Sequence, residues 1–183
     1  MQQFDVRQLD LPVGSNIILI GMPGAGKSTI GVLLAKVLSR SFVDTDVYIQ
    51  AHEGRGLQEI IDADGLEAFR AVEERHILSL DCQDHVVATG GSVVYSELAM
   101  RHLKATGIVI YLDLPLLVIE KRLTNIASRG VVMGPKQTLA NLHDERRPLY
   151  LRYADIIIDC ANLSHEEILG KITDSLVAYP SDK

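Results

Sequence analysis

Asn16-Ile17-Ile18-Leu19-Ile20-Gly21-Met22-Pro23-Gly24-Ala25-Gly26-Lys27-Ser28-Thr29 is the stretch that decides the fold. Its first five residues form an apolar run of strand length. Its last nine fit G-x-x-x-x-G-K-[ST], the phosphate-binding loop signature. Beyond it Ile30, Leu33, Leu34, Val37 and Leu38 recur at the spacing of one buried helix face. A strand therefore feeds a glycine-rich turn that opens a helix. Glycines let several backbone N–H groups point into one concavity, and the helix N-terminus adds partial positive charge. Gly24, Ala25, Gly26, Lys27, Ser28 and Thr29 are the residues expected to cradle phosphates. The lysine would reach the β- and γ-phosphates and the Ser28 hydroxyl would ligate Mg²⁺, which makes ATP and Mg²⁺ the expected ligands.

Outward from this loop, strand-like runs alternate with helical patterns. The runs are 16–20, 41–44, 85–89, 107–112 and 155–159. Ile108-Val109-Ile110-Tyr111-Leu112 and Ile156-Ile157-Ile158 are continuously apolar, as strands covered on both faces are. Helical stretches fall at 28–40, in two or three segments across 46–81, and at 96–104, 115–124, 139–150 and 164–177. Pro115 suits a helix start, and Ser164 with Glu167 reads as a capping box. The expected fold is α/β, a three-layer α/β/α sandwich around a five-stranded parallel sheet. One domain spans residues 1–183, with an N-terminal extension over 1–15, a lid over 125–137 and a frayed tail over 178–183.

The bulk composition narrows the classes of partner. The chain has 183 residues, 47% hydrophobic and 23% charged, with a net charge of −6. An acidic chain lacks the basic surface that nucleic acids and anionic membranes require. Cys82 and Cys160 form no C-x-x-C, so neither a disulfide framework nor a zinc site is expected. No apolar run approaches the ~20 residues of a membrane span, and 1–15 lacks the build of a signal peptide. A cytoplasmic, monomeric enzyme acting on a small molecule is the expectation.

In open parallel sheets ligands bind beyond the carboxyl ends of the strands. The residues there are the glycine loop, Asp44-Thr45-Asp46, Thr89-Gly90-Gly91-Ser92, Asp113 and Asp159. If the second strand stays extended, Asp44 and Asp46 point to one side. One could hold Mg²⁺ through water and the other could accept a proton from an acceptor hydroxyl. The bland alternative is a pair of solvated acids or a helix cap. Gly90 and Gly91 permit close approach of backbone to a ligand, or form an ordinary tight turn. Arg70 and Glu73, at i and i+3, read by themselves as a surface ion pair, and Arg146-Arg147 as a solvated face. Arg129 lies in the glycine- and proline-bearing stretch 128–136, which reads as a loop that could close over the site.

Together these motifs resemble the shikimate kinase family, from about Asn16 to Asp159. The resemblance rests on the 21–29 loop, Phe42-Val43-Asp44-Thr45-Asp46, Phe69-Arg70 with Glu73, Ala88-Thr89-Gly90-Gly91, and Glu145-Arg146-Arg147-Pro148-Leu149-Tyr150 leading to Ala154-Asp155. It implies that Lys27 and Ser28 hold phosphates and Mg²⁺, and that Asp44 assists the metal through water. It implies that Asp46 binds the acceptor hydroxyls, that Arg70 and Arg146 hold the acceptor carboxylate, and that Glu73 orients Arg70. Arg122 would lie near the adenine, and Arg129 would reach the transferring phosphate from the lid. Lys27, Asp46 and Arg129 are thus the catalytic set, and Asp46, Arg70, Gly90, Gly91 and Arg146 the substrate-binding set.

The chain departs from the family pattern at Ser92, where a third glycine is usual, and at Gly130-Val131-Val132 in the lid. Leu66 and Gln50 stand where the family often has Glu. If position 92 needs a positive φ, a serine there costs on the order of 1 kcal/mol and its side chain crowds the acceptor. Three readings follow. The first is ATP-dependent phosphorylation of shikimate to shikimate 3-phosphate. The second is the same chemistry on another small hydroxy acid such as homoserine. The third is a nucleotide-binding module without catalysis.

Overall fold

The computed structural model describes residues 11–123 and 137–180. Five parallel strands form one sheet: β1 (Asn16–Ile20), β2 (Ser41–Asp44), β3 (His85–Ala88), β4 (Gly107–Asp113) and β5 (Ile156–Asp159). Their order is β2-β3-β1-β4-β5, so the strand that feeds the glycine loop is central. Ile17 pairs with Val86 on one side and Ile108 on the other. Successive side chains of a strand face opposite ways. Ile17, Ile18, Leu19 and Ile20 are all 0% exposed, so both faces are covered at the central strand; on the edge strand β5 Ile157 is 51% exposed, so the continuously apolar run there is not covered on both faces as expected.

Among the described residues there are eight α-helices: α1 (Lys27–Leu38), α2 (Thr45–Glu53), α3 (Leu57–Asp64), α4 (Leu66–Leu78), α5 (Glu97–Thr106), α6 (Leu116–Leu123), α7 (Leu139–Tyr153) and α8 (His165–Val177). The β1→β2 and β3→β4 crossovers run in opposite directions across the sheet. Right-handed connections therefore place α1 on one face and α5 on the other. The packing is tight where the sequence permits it. A Cβ at Gly31 of α1 would lie 2.5 Å from the Phe42 ring of β2. The stretch 46–81 resolves into three helices, α2, α3 and α4, with a small core of their own: Ile49, Leu57, Ile60 and Phe69. This cap holds the inner face of α4 over the carboxyl ends of the strands.

The structure differs from the sequence expectation at several boundaries. β2 stops at Asp44 rather than running on to Asp46. Asp44 Oδ1 accepts from the N–H groups of Asp46 and Val47, so it caps α2 and turns the chain into a helix at Thr45. A one-turn 3₁₀ helix, Val93–Tyr95, follows the paired glycines and was not anticipated. The Ser164–Glu167 capping box is present. Of the tail expected to fray, Ala178 caps α8 through its N–H, and Tyr179 packs on the main core. Among the described residues no helix is long and apolar enough to cross a membrane.

Candidate active site

The glycine loop takes the shape that its sequence implies. Gly24 and Gly26 sit at φ 79° and 96°, in the left-handed region that favours glycine. Gly26 is the N-cap of α1 and offers no side chain, so the first-turn N–H groups are left for a ligand. The Lys27 ammonium is buried and donates to the carbonyls of Gly21 (2.8 Å) and Met22 (3.0 Å). Burial pulls its pKa down to about 8; Arg146 adds to this, while Asp46, Asp44 and Glu73 oppose it. Arg122, at the end of α6, donates to the carbonyls of Gly24 (3.2 Å) and Ala25 (3.5 Å) and braces the loop from outside.

Asp44 serves two neighbours. While Oδ1 caps α2, Oδ2 accepts a hydrogen bond from the Ser28 hydroxyl at 2.6 Å. A hydroxyl and a carboxylate side by side are hard oxygen donors of the kind that Mg²⁺ takes, with water and phosphate completing its shell. These residues therefore fit the metal. In the first turn of α2, Asp46 is desolvated, which pushes its pKa up to about 6. Asp44 raises it further and Lys27 lowers it. The helical turn, not an extended strand, brings the two carboxylates beside the loop.

The paired glycines lie between these groups and α4. A Cβ at Gly90 would stand 2.4 Å from Glu73 Oε1 and 2.7 Å from Asp46 Oδ1. Bare backbone is thus what allows two carboxylates to approach one point. The Gly90 N–H donates to the Thr45 hydroxyl (3.0 Å). A Cβ at Gly91 would meet Arg146 Nη1 and Pro23 Cδ, each at 3.0 Å. Ser92 has φ −90°, an ordinary right-handed conformation, so the expected strain at this position is absent. Its buried hydroxyl donates to Glu73 Oε2 at 2.7 Å.

Glu73 is buried, not on the surface. Desolvation pushes its carboxyl up to about 7, against the Ser92 hydrogen bond. Its other oxygen, Oε1, has no hydrogen-bond partner among the described residues. Glu73 is bonded to Ser92, whereas Arg70 pairs with Glu67 at 2.9 Å. The expectation that Glu73 orients Arg70 therefore has no hydrogen bond behind it. Arg70 also lays its guanidinium over the Tyr95 ring, Cζ 4.1 Å from the centroid. Its Nε is buried and has no hydrogen-bond partner among the described residues. Arg146 is 1% exposed, far from a solvated face. Its Nε donates to the Tyr95 hydroxyl at 3.2 Å, and its Cζ lies 5.1 Å from the same ring. Arg147 is the outer member of the pair and bonds to Asp113 at 2.9 Å.

The structure thus gathers Lys27, Ser28, Asp44, Asp46, Arg70, Gly90, Gly91 and Arg146 at one edge of the sheet, with Arg122 behind the loop. Arg129 and nearly all of the expected lid lie outside the described residues. Sequence reasoning missed Tyr95, Thr45 and the Ser92–Glu73 bond. The faint signal for Tyr95 was its spacing: three residues after Ser92, one 3₁₀ turn carries it to the same side.

A family profile described as shikimate kinase matches residues 23–177. The shikimate kinase of Pasteurella multocida is 40% identical over 163 residues, spanning 87% of this chain and 93% of that protein. That of Tolumonas auensis is 38% identical over 168 residues, 88% and 96% of the two chains. Among solved structures, the shikimate kinase from Acinetobacter baumannii in complex with shikimate superposes with a TM-score of 0.83 at 30% identity, covering 94% of this chain and 97% of that one. A deoxyadenosine kinase from M. mycoides, at TM-score 0.58 and 16% identity, shares the fold.

Proposed function

The chain belongs to the shikimate kinase family, and on that premise we propose that it transfers the γ-phosphoryl group of ATP to a hydroxyl of shikimate, giving shikimate 3-phosphate and ADP in aromatic amino-acid biosynthesis. The observation that carries the reading is the position of Asp46. Its carboxylate faces the phosphate-loop lysine on one side and the Gly90–Glu73 corner on the other. A hydroxyl brought there lies between a proton acceptor and the end of the phosphate chain.

The chemistry balances simply. The acceptor oxygen bonds to the γ-phosphorus as the bond to the bridging oxygen of ADP breaks, and the hydroxyl proton passes to the Asp46 carboxylate. Little covalent work falls to the protein, so positioning and charge carry the rate. Lys27 turns its ammonium from the Gly21 and Met22 carbonyls to the phosphates. Ser28, with Asp44 through water, would hold Mg²⁺, which supplies positive charge to the phosphate oxygens. Arg70 and Arg146 grip the carboxylate of the acceptor; a planar guanidinium meets a carboxylate through two parallel hydrogen bonds. Arg70 Nε and Glu73 Oε1, without partners among the described residues, are the kind of buried polar atoms that a bound acceptor satisfies. Arg122 steadies the loop on the adenine side, and Arg129 supplies the lid cation. The enzyme acts as a monomer in the cytoplasm.

Ser92 gives no support to a switched acceptor such as homoserine. Its backbone is unstrained and its hydroxyl is occupied by Glu73. An ADP-release assay with Mg-ATP and shikimate, homoserine, gluconate or no acceptor tests the reading. Turnover with shikimate alone is expected. Turnover with homoserine alone would replace shikimate as the acceptor, and ATP binding without turnover on any acceptor would reject catalysis.

A further inference from the structure

Two guanidiniums meet in this site with one aromatic ring between them. Arg70 comes from α4 and Arg146 from α7, and the two helices have no covalent reason to agree on the distance between their cations. Like charges in a largely buried place repel, and each retains several conformations of its long stem unless something holds it. Tyr95 touches both. Its ring face lies 4.1 Å from Arg70 Cζ and 5.1 Å from Arg146 Cζ. Its hydroxyl accepts from Arg146 Nε. The face of an aromatic ring carries negative quadrupole charge and attracts guanidinium planes. A tyrosine has only two side-chain torsions, and here it rides on a one-turn helix anchored by buried Val93 and Val94. The ring is therefore a rigid platform shared by Arg70, which is partly exposed, and Arg146, which is buried and also bonded to Tyr150.

We propose that Tyr95 is a positioning residue for acceptor binding: it sets the spacing and tilt of Arg70 and Arg146 so that both guanidiniums address one carboxylate. The proposal rests on the shikimate reading and deepens it. Arg70 Nε, buried and without a partner among the described residues, is a donor available to an acceptor. The effect belongs to binding and not to the chemical step, because Tyr95 engages Arg70 and Arg146, which grip the acceptor carboxylate, and not the Asp46 carboxylate that takes the proton. One cation–π contact amounts to roughly a twofold to thirtyfold change in binding.

The experiment compares wild type, Tyr95→Phe and Tyr95→Leu. Steady-state kinetics give KM for shikimate, KM for ATP and kcat. Nitrogen–proton spectra of the arginine Nε groups, taken without substrate, report whether Arg70 and Arg146 still lie over a ring. The leucine variant is expected to raise KM for shikimate by roughly tenfold, with kcat and KM for ATP within about twofold of wild type. The ring-induced shifts of both arginine signals should vanish. The phenylalanine variant keeps the ring and loses the oxygen. It should restore most of the affinity and the Arg70 shift, and move only the Arg146 signal. An unchanged KM for shikimate in the leucine variant, or equal losses in kcat and both KM values, would overturn the proposal. If wild type fails to phosphorylate shikimate, the functional reading falls by itself. The spectra then decide: lost shifts in the leucine variant support the positioning role, and unmoved signals reject it.

Discussion

On the proposed reading, Asp46 and Lys27 should set the working pH range between them. Burial pushes Asp46 up to about 6, and the free enzyme needs this carboxylate ionised to take a proton. Burial pulls Lys27 down to about 8, and the phosphates need it charged. Because kcat/KM reports the free enzyme, its profile should rise through about 6 and fall through about 8. Asp46→Asn should lower kcat about 10²- to 10⁴-fold with little change in ATP affinity, and the residual rate should lose the acid limb. A near-normal kcat would remove Asp46 from the proton-accepting role. Stability runs the other way at Glu73. Its carboxyl is raised from 4.5 to about 7, chiefly by burial. A raised carboxyl pKa contributes stability that is full below the unfolded value and is lost as pH rises through the folded one. Glu73→Gln should therefore gain thermal stability on wild type between pH 5 and pH 8, read as a difference in Tm that grows with pH. The amide still accepts from Ser92, so the bond is retained while the buried charge is removed.

At the level of elements, Asp44 joins a helix cap to the proposed Mg²⁺ site, and the two duties separate by substitution. Asn caps as well as Asp, whereas Ala does not. Asp44→Ala should lose about 1 kcal/mol of unfolding free energy, and Asp44→Asn should lose much less. Both should need more Mg²⁺ for half-maximal rate, because neither offers a carboxylate beside Ser28. Equal Mg²⁺ dependence in wild type and both variants would limit Asp44 to the cap. The same residue shows what could be read in advance. That Asp44 and Asp46 lie beside the loop was legible from their place after a strand. That a cap, and not an extended strand, puts them there was not, because the i, i+2 spacing fits both geometries. Glu73 and Arg146 read as surface charges because local spacing is blind to the element packed on top. Their burial comes from α4 lying over the strand ends and from α7 meeting the 3₁₀ turn, contacts between segments far apart in the chain.

Across the whole molecule, strand content and the parallel sheet were legible because the strand runs are short, 108–112 and 156–158 are continuously apolar, and a helical pattern separates each run from the next. The order β2-β3-β1-β4-β5 was not, since consecutive strands β1 and β2 are not neighbours and no local signal records that β3 lies between them. That order is what divides the site. The glycine loop after β1 lies between the β2–β3 ends, which carry Asp44, Asp46 and Gly90, and the β4 end, which leads to Arg122 on α6. A chain of net charge −6 thus gathers Lys27, Arg70, Arg122 and Arg146 at one sheet edge, beside Asp44, Asp46 and Glu73, which offset part of their mutual repulsion. Each anionic ligand should stabilise the fold separately. At a hundred times its dissociation constant, a ligand adds about 2.7 kcal/mol, or roughly 5–11 °C in Tm for a domain of this size. Mg-ATP and shikimate should each give such a shift in wild type. Lys27→Met should lose the Mg-ATP shift and keep most of that with shikimate, and Arg146→Met should do the reverse. If either variant lost both shifts, the two halves of the site would form a single cooperative unit, and the division drawn from the strand order would be wrong.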